Sequence, residues 1–374
     1  KEKLEFAKTN FNNYQIITLC IIILIILVVS TIFYIYHKIT LNERNCQVLK
    51  KVYTQIPPLS SITDNQELNK CFLRDFYVKS AYNACSPGNF KNDFVNLCAL
   101  SNCISQGVRF LDFEIYSIND QPVVATSSVL DYTVKETYNY IPLASVFERI
   151  LNEAFSSGTC PNFRDPLILH FRIMSNNCKM YTNFANLFVN NINLNSRTLG
   201  KKYSYEFSNP TYGSLNLGRT PIKDFSGKII ISIDSSNPLF RHTPLDEYVN
   251  IASGSPFLRI QRYTDVKLNQ DMTFTEFNKK NMSIVLPDLS ANDTNPSFNV
   301  CRAYGCQFVA MSFQNYDVNL EQYNDFFDGN RSAFVIKPDN QRFIPLTIPK
   351  PPPQNPDLSY ETRDIKSDFY SYNI

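Results

Sequence analysis

The sequence predicts an α/β protein, a (β/α)8 barrel of the TIM type preceded by one transmembrane helix. Three observations carry this expectation. An uncharged apolar run long enough to cross a bilayer stands near the N-terminus. Beyond it, short apolar runs alternate with helical patterns, and eight such runs fit within about 270 residues, close to the usual size of a closed α/β barrel.

The N-terminal element comes first. From Ile16 to Tyr36 the run IITLCIIILIILVVSTIFYIY carries no charge, and about 20 apolar residues suffice for a helix to span the bilayer core. A cleaved signal peptide would have an apolar run of only about 7 to 15 residues, ending in a small-residue cleavage site. Here Phe33, Tyr34 and Tyr36 instead give an aromatic interface before His37 and Lys38. We therefore expect a short tail (1–13), a membrane helix (14–37) that meets the lipid bilayer through residues 16–36, and a polar connector (38–74). That describes a single-pass membrane protein, with a virion or an intracellular membrane as its expected setting. Lys1, Lys3 and Lys8 nearly balance Lys38, Arg44, Lys50 and Lys51, so the positive-inside rule sets no orientation.

After the connector the strand candidates follow in order: FYVKSAY, VRFLDFEIY, PVVATS, PLILHFRI, KIIISID, SIVLP, CQFVAMSF and SAFVIKP. Between them, PLASVFERILNEAF and MYTNFANLFVNNI repeat apolar residues three and four apart, as helices do. Alternation implies a parallel sheet covered by helices, closed over residues 75–345. The segment 346–374 opens with LTIPKPPPQNP and breaks the pattern. It suits an extended strap or a disordered arm, with a proline-binding partner as the weaker option.

Composition narrows the function classes. A net charge of +2 with scattered Lys and Arg gives no reason to expect nucleic acid. Ten cysteines, Cys20 among them in the apolar run, show no zinc-site spacing. Disulfides in an oxidising compartment and free buried thiols in a reducing one fit equally well. Sequons at Asn281, Asn292 and Asn330 are what chance produces in so Asn-rich a chain. Abundant Asn, Ile, Tyr and Phe with 10 Gly and no Trp reflect the coding bias of an AT-rich genome.

The segments SAYN, GVRFLDFEIY, QPVVATSS, DPLILHFRI and FSGKIIISID resemble, in sequence and spacing, the X half of the catalytic barrel of eukaryotic phosphoinositide-specific phospholipase C. NKKNMSIVLP, followed by CRAYGCQFVAMSFQNYDVNLEQYNDFFDGNRSAFVIKP, resembles its Y half. The likeness divides the barrel into an X-like half (75–235) and a Y-like half (245–345). As the resemblance implies, that family cleaves a headgroup phosphodiester with two histidines around a calcium held by Asn, Glu, Asp and Glu. Imidazole suits proton transfer near neutral pH, and a divalent ion absorbs developing negative charge.

Carried over position by position, the first histidine falls on Tyr82 and the second on Thr126. Among the calcium ligands Asn83 is retained, the Glu and Asp are exchanged as Asp112 and Glu114, and the last is replaced by Arg172. The lysines that receive ring phosphates fall on Ser232 and Asp234. The family's SRIY segment reads SIVL, retaining Ser283 but placing Ile284 and Leu286 where Arg and Tyr belong. The three histidines are His37 beside the membrane, His170, which reads as a packed interior residue, and His242, which reads as a surface one. The strand period of two turns Ile168, His170 and Arg172 to one side, and Asp112 with Glu114 likewise inward. Arg172 is then expected to bridge the two carboxylates in place of calcium, with Asn83 nearby, or else to reach solvent and leave them separately hydrated.

These readings imply a membrane-anchored pseudoenzyme of that family, catalytically inactive and serving as a binding or structural module with protein partners. No cofactor is expected, nor residual calcium at Asn83, Asp112 and Glu114. The coding bias suits a membrane or capsid-associated protein of a large DNA virus. The alternative is a divergent phosphodiesterase that acts on a non-phosphoinositide substrate with Tyr82, Asp112 and Glu114.

Overall fold

The chain opens on a helix without a break, α1 (Glu2–Val52). No Gly or Pro interrupts the sequence before Pro57, so the helix continues well past the last apolar residue of the span. Segment 38–74 is therefore not a connector throughout: its first turns are helix and dock on the barrel, with Leu49 buried and Cys46 bonded to Cys98. From Tyr14 the helix is long and apolar enough to cross a membrane, with a mean hydropathy of 3.3 over its most apolar window and none of that window buried. The computed structural model describes residues 2–130, 134–200, 203–204, 208–209, 213–214, 217–268, 272–290, 294–345, 352, 355 and 362–373.

Eight parallel staves follow: β1 (Phe76–Ala81), β2 (Phe110–Ile118), β3 (Leu167–Ile173), β4 (Ile229–Ile233), β5 (Ile251–Ala252), β6 (Leu258–Arg262), β7 (Met282–Leu286) and β8 (Phe308–Met311). They pair in the order β6-β7-β8-β1-β2-β3-β4-β5, leaving the barrel nearly closed, with an opening between β5 and β6. Outside them lie α2 (Leu97–Ser105), α3 (Leu143–Glu153), α4 (Cys178–Asn190), α5 (Ile192–Arg197), α6 (Tyr263–Leu268), α7 (Met272–Lys280), α8 (Phe298–Ala303) and α9 (Val318–Gly329).

Both faces of the staves are buried, which is why their sequences read as continuous apolar runs. Phe76, Val78, Phe110, Ile168, Ile230, Ile284 and Phe308 fill the barrel interior. Their neighbours Tyr77, Leu111, Phe113, Leu169, Phe171, Ile231 and Val309 face the helices.

Two expected staves are something else. PVVATS supplies a short strand, Gln121–Val124, that folds back antiparallel on β2. Its two-residue turn, Asn119 and Asp120, has φ values of 51 and 62°, the left-handed geometry that matches a hairpin's twist and that Asn and Asp tolerate. SAFVIKP supplies Phe334–Ile336, antiparallel to β1. The missing staves are β5 and β6. The compact unit that holds the barrel ends at Arg342. In the following unit Asp364–Lys366 pairs antiparallel with Ser371–Asn373. The Pro-rich run at 346–351 lies outside the described residues.

Candidate functional site

The site is assembled at the C-terminal ends of β1, β2 and β3. Neighbouring staves in parallel register place Asp112 beside His170 and Glu114 beside Arg172, all four facing inward. Asn83 follows β1 in a left-handed turn with φ 42°, a conformation that Asn adopts more readily than most residues. That turn aims its N–H at Asp112 Oδ2, at 3.2 Å.

The Arg172 guanidinium lies between the two carboxylates. Its Nη2 donates to Asp112 Oδ2 at 2.7 Å, its Nε to Asp112 Oδ1 at 3.0 Å, and its Nη1 to Glu114 Oε1 at 2.6 Å. Nη2 also donates to Asn83 Oδ1 at 2.7 Å. The cation faces the Tyr82 ring, 4.6 Å from its centroid. Arg172, Asp112, Glu114 and Asn83 are 1, 0, 1 and 2% exposed, so the cluster has exchanged water for its own partners. Burial alone would raise the Asp112 carboxyl, but Arg172 and His170 outweigh it and hold the group well below the usual carboxylate range. Arg172 is held firmly protonated: burial opposes its charge, yet Asp112, Tyr82 and Glu114 outweigh that too.

The remaining acceptor capacity is also taken. Asp112 Oδ1 lies 2.7 Å from His170 Nδ1. Glu114 Oε2 accepts the Ser127 N–H at 2.9 Å and the Tyr116 hydroxyl at 3.2 Å. Calcium, which the fold family implies, binds six to eight oxygens in an open shell; this donor set does not fit it, because a cation already occupies the centre and the carboxylate oxygens are engaged. Among the described residues no group of three or more His, Cys, Asp or Glu side chains is placed to hold a metal ion.

The positions carried over from the two histidines both pack around Phe90. Tyr82 meets its ring edge-on at 5.3 Å, and the Thr126 hydroxyl donates to its carbonyl at 3.1 Å. Ser232 projects into the barrel beside His170, and neither its Oγ nor His170 Nε2 has a hydrogen-bond partner among the described residues. Asp234 accepts from the Ser236 N–H and hydroxyl and from Ser253. Burial would raise its carboxyl, but these donors and the nearby His170 lower it on balance. Ile284 and Leu286 are apolar filling of the barrel interior. Ser283 lies apart from the site: as the intervening residue it points outward, and its N–H donates to Gln307 Oε1 at 2.9 Å.

Sequence reasoning missed Arg262, whose Nη1 donates to the Pro287 carbonyl at 2.7 Å and approaches the Tyr82 hydroxyl at 3.4 Å. Recognition of LRIQR as a stave would have placed it at the mouth. Arg172, Asp234, Arg262 and Asp265, with Leu130 and Leu286, border a cleft of about 200 Å³ there. That is small beside the roughly 300 to 1,000 Å³ of ordinary ligand pockets.

No protein-family model matches the chain, and no curated protein matches it. Solved structures do. PLC21 of L. pealei is similar with a TM-score of 0.58 and 17% identity over 73% of this chain. PLC21 of S. officinalis gives 0.56 and 16% over 73%. The phosphatidylinositol-specific phospholipase C from Listeria monocytogenes gives 0.43 and 12%, over 73% of this chain and 99% of its own. The chain spans 38% of the length of either PLC21. At this identity the two PLC21 likenesses carry the fold, which is that of the phosphoinositide-specific phospholipase C barrels.

Proposed function

We propose that the chain is a membrane-anchored, catalytically inactive relative of those phospholipases that serves as a binding or structural module. One observation supports the reading: the buried guanidinium of Arg172, the residue that the resemblance aligns with a calcium ligand of that family, is bonded to Asn83, Asp112 and Glu114. Phosphodiester cleavage needs a group to take the proton of the attacking hydroxyl, another to protonate the leaving alkoxide, and positive charge on the phosphate. Tyr82 and Thr126 are poor proton carriers near neutral pH. Burial pushes the Tyr82 phenol up, and the Thr126 hydroxyl is committed to a backbone carbonyl. Ser232, Asp234, Ile284 and Leu286 offer no cation to a ring phosphate. The exposed apolar stretch of α1 supports single-pass anchoring in lipid. The coding bias suits a large DNA virus, in which the anchored barrel is read as a membrane or capsid-associated protein with protein partners.

One observation favours a second reading, a divergent phosphodiesterase acting on a non-phosphoinositide substrate. Asp112 orients His170, whose Nε2 is unpartnered beside Ser232, as in nucleophile–base pairs. Against it, His170 is fully buried and stacked on Phe110 at 5.5 Å, out of reach of a substrate in the mouth. The detergent-solubilised chain, given calcium and vesicles of phosphatidylinositol or a phosphorylated phosphoinositide, is expected to release no inositol phosphate. Calcium-dependent release abolished by Asp112→Asn refutes the pseudoenzyme reading. Hydrolysis of bis-p-nitrophenyl phosphate that is lost in His170→Gln supports the second.

A further inference from the structure

Cys46, ten residues past Tyr36 in α1, is bonded to Cys98 in the first turn of α2. The surrounding contacts seat the same stretch of helix on loops at the barrel mouth. Asn45 Nδ2 donates to both Asp93 oxygens at 3.0 and 3.1 Å, Asn96 Nδ2 to Asn42 Oδ1 at 3.0 Å, and Lys38 Nζ to the Asn92 carbonyl at 3.3 Å. The two cysteines are thus brought together by the docking of α1. Bonds of this kind persist in oxidising compartments, whereas cytosolic thiol pools keep them reduced. The charge balance across the apolar run leaves the side of the barrel open; the disulfide does not.

The sequons acquire a different meaning on that side. Asn281 leads directly into β7, where Met282 and Ser283 are buried, and Asn292 lies outside the described residues. Asn330 caps the C-terminal end of α9, which runs from the mouth back toward the opposite end of the barrel, and both Asn330 and Arg331 are exposed. Arg331 turns the chain with φ 52°, so the tripeptide Asn330-Arg331-Ser332 stands at a surface bend.

We propose that the barrel stands on the oxidising, non-cytosolic side of its membrane and that Asn330 accepts an N-linked glycan there. This rests on the membrane-anchored reading given above. Two covalent steps are involved. Cys46 and Cys98 lose two protons and two electrons as their S–S bond forms, and the disulfide of a thiol oxidoreductase is reduced to two thiols by exchange. Asn330 Nδ2 bonds to C1 of the first sugar of a lipid-linked oligosaccharide diphosphate, the C1–O bond breaks, the lipid diphosphate leaves, and one amide proton is released. The second Nδ2–H remains for the Phe326 carbonyl, now 2.7 Å from Nδ2.

The test is translation of the full chain in the presence of microsomes. It should resist carbonate extraction, shield its barrel from protease added outside, and show a mobility step that PNGase F removes. Asn330→Gln and Ser332→Ala should each lose one step, while Asn281→Gln loses none. Ser332→Ala leaves the Asn330 cap intact but removes the hydroxyl's bonds to Phe334, so Ser332→Thr, which keeps hydroxyl and sequon, should retain the step and separates loss of the acceptor from misfolding. A carbonate-resistant chain whose barrel is digested overturns the proposal. So does a protected barrel with the same number of steps in both acceptor variants. Release of the chain by carbonate overturns the anchored reading itself.

Discussion

Arg172→Ala removes one side chain from a cluster in which Asp112, Glu114 and Asn83 all depend on it. The two carboxylates, 0 and 1% exposed, would be left without the guanidinium and with little water. Removing one partner of a buried ion pair typically costs about 3 to 5 kcal/mol, against about 0 to 1 for an exposed pair. At about 2 to 4 °C per kcal/mol, this lowers the thermal midpoint by roughly 6 to 20 °C. The chain has no Trp but 22 Tyr, so near-ultraviolet circular dichroism in detergent reports barrel packing without interference from α1 helicity. The pH dependence adds a signature. In the parent, Asp112 is depressed when folded, so its contribution is complete above the unfolded value of about 3.9 and is lost as pH falls through the lower folded one. In the variant, burial without the guanidinium disfavours the ionised form of Asp112, so protonation relieves the folded state as pH falls from neutral. The gap between variant and parent should therefore narrow on acidification, and Asp112→Asn with Glu114→Gln should recover much of the loss. A cost below about 1 kcal/mol with an unchanged pH slope would mean that the cluster is solvated and the reasoning wrong.

Arg172→Glu restores an acidic oxygen donor beside Asn83, Asp112 and Glu114; calcium is expected to raise the thermal midpoint of this variant and not that of the parent, and equal response of the two would count against the replacement of ion by guanidinium. Asp165, beneath the barrel, is buried and its carboxyl is pushed up to about 7 by desolvation. A folded value above the unfolded one means that its contribution is full at low pH and fades as pH rises toward 7, so Asp165→Asn should leave stability near pH 4 unchanged and raise it at pH 8 by up to about 4 kcal/mol; an identical pH profile in calorimetry would show the carboxyl to be ionised throughout.

The barrel was legible because buried parallel staves write themselves as apolar runs, and the inward direction of Asp112, Glu114, His170 and Arg172 followed from a period of two. The same rule explains the failures. Gln121–Val124 and Phe334–Ile336 are as apolar as staves, and nothing in their composition reports antiparallel pairing. β5 has two residues, and β6, beside the opening, exposes Arg259 and half-exposes Ile260, Gln261 and Arg262, so neither looks like a buried strand. Ser283 shares its motif with Ile284 and Leu286, but its odd position turns it out of the barrel. The end of the apolar run at Tyr36 marked a change of solvent and not of backbone, so the helix carried on. With nine cysteines outside that run, no spacing singled out Cys46 and Cys98.

A site that depends on a bound ion has its geometry only while the ion is present, since two carboxylates converging without a cation repel and are costly to desolvate. A covalently attached guanidinium removes that dependence. Its planar fork meets Asp112 through two nitrogens, leaves Nη1 for Glu114, and shares Nη2 with Asn83, a set of directions that a lysine ammonium on a flexible stem would not hold together. The exchange has a chemical consequence as well as a structural one. An ion in an open shell keeps positions for substrate oxygens, whereas here the N–H groups point at Asn83, Asp112 and Glu114, and the Tyr82 ring covers the cation's face. The N–H groups engaged by Asn83, Asp112 and Glu114 are thus not free to meet a phosphate.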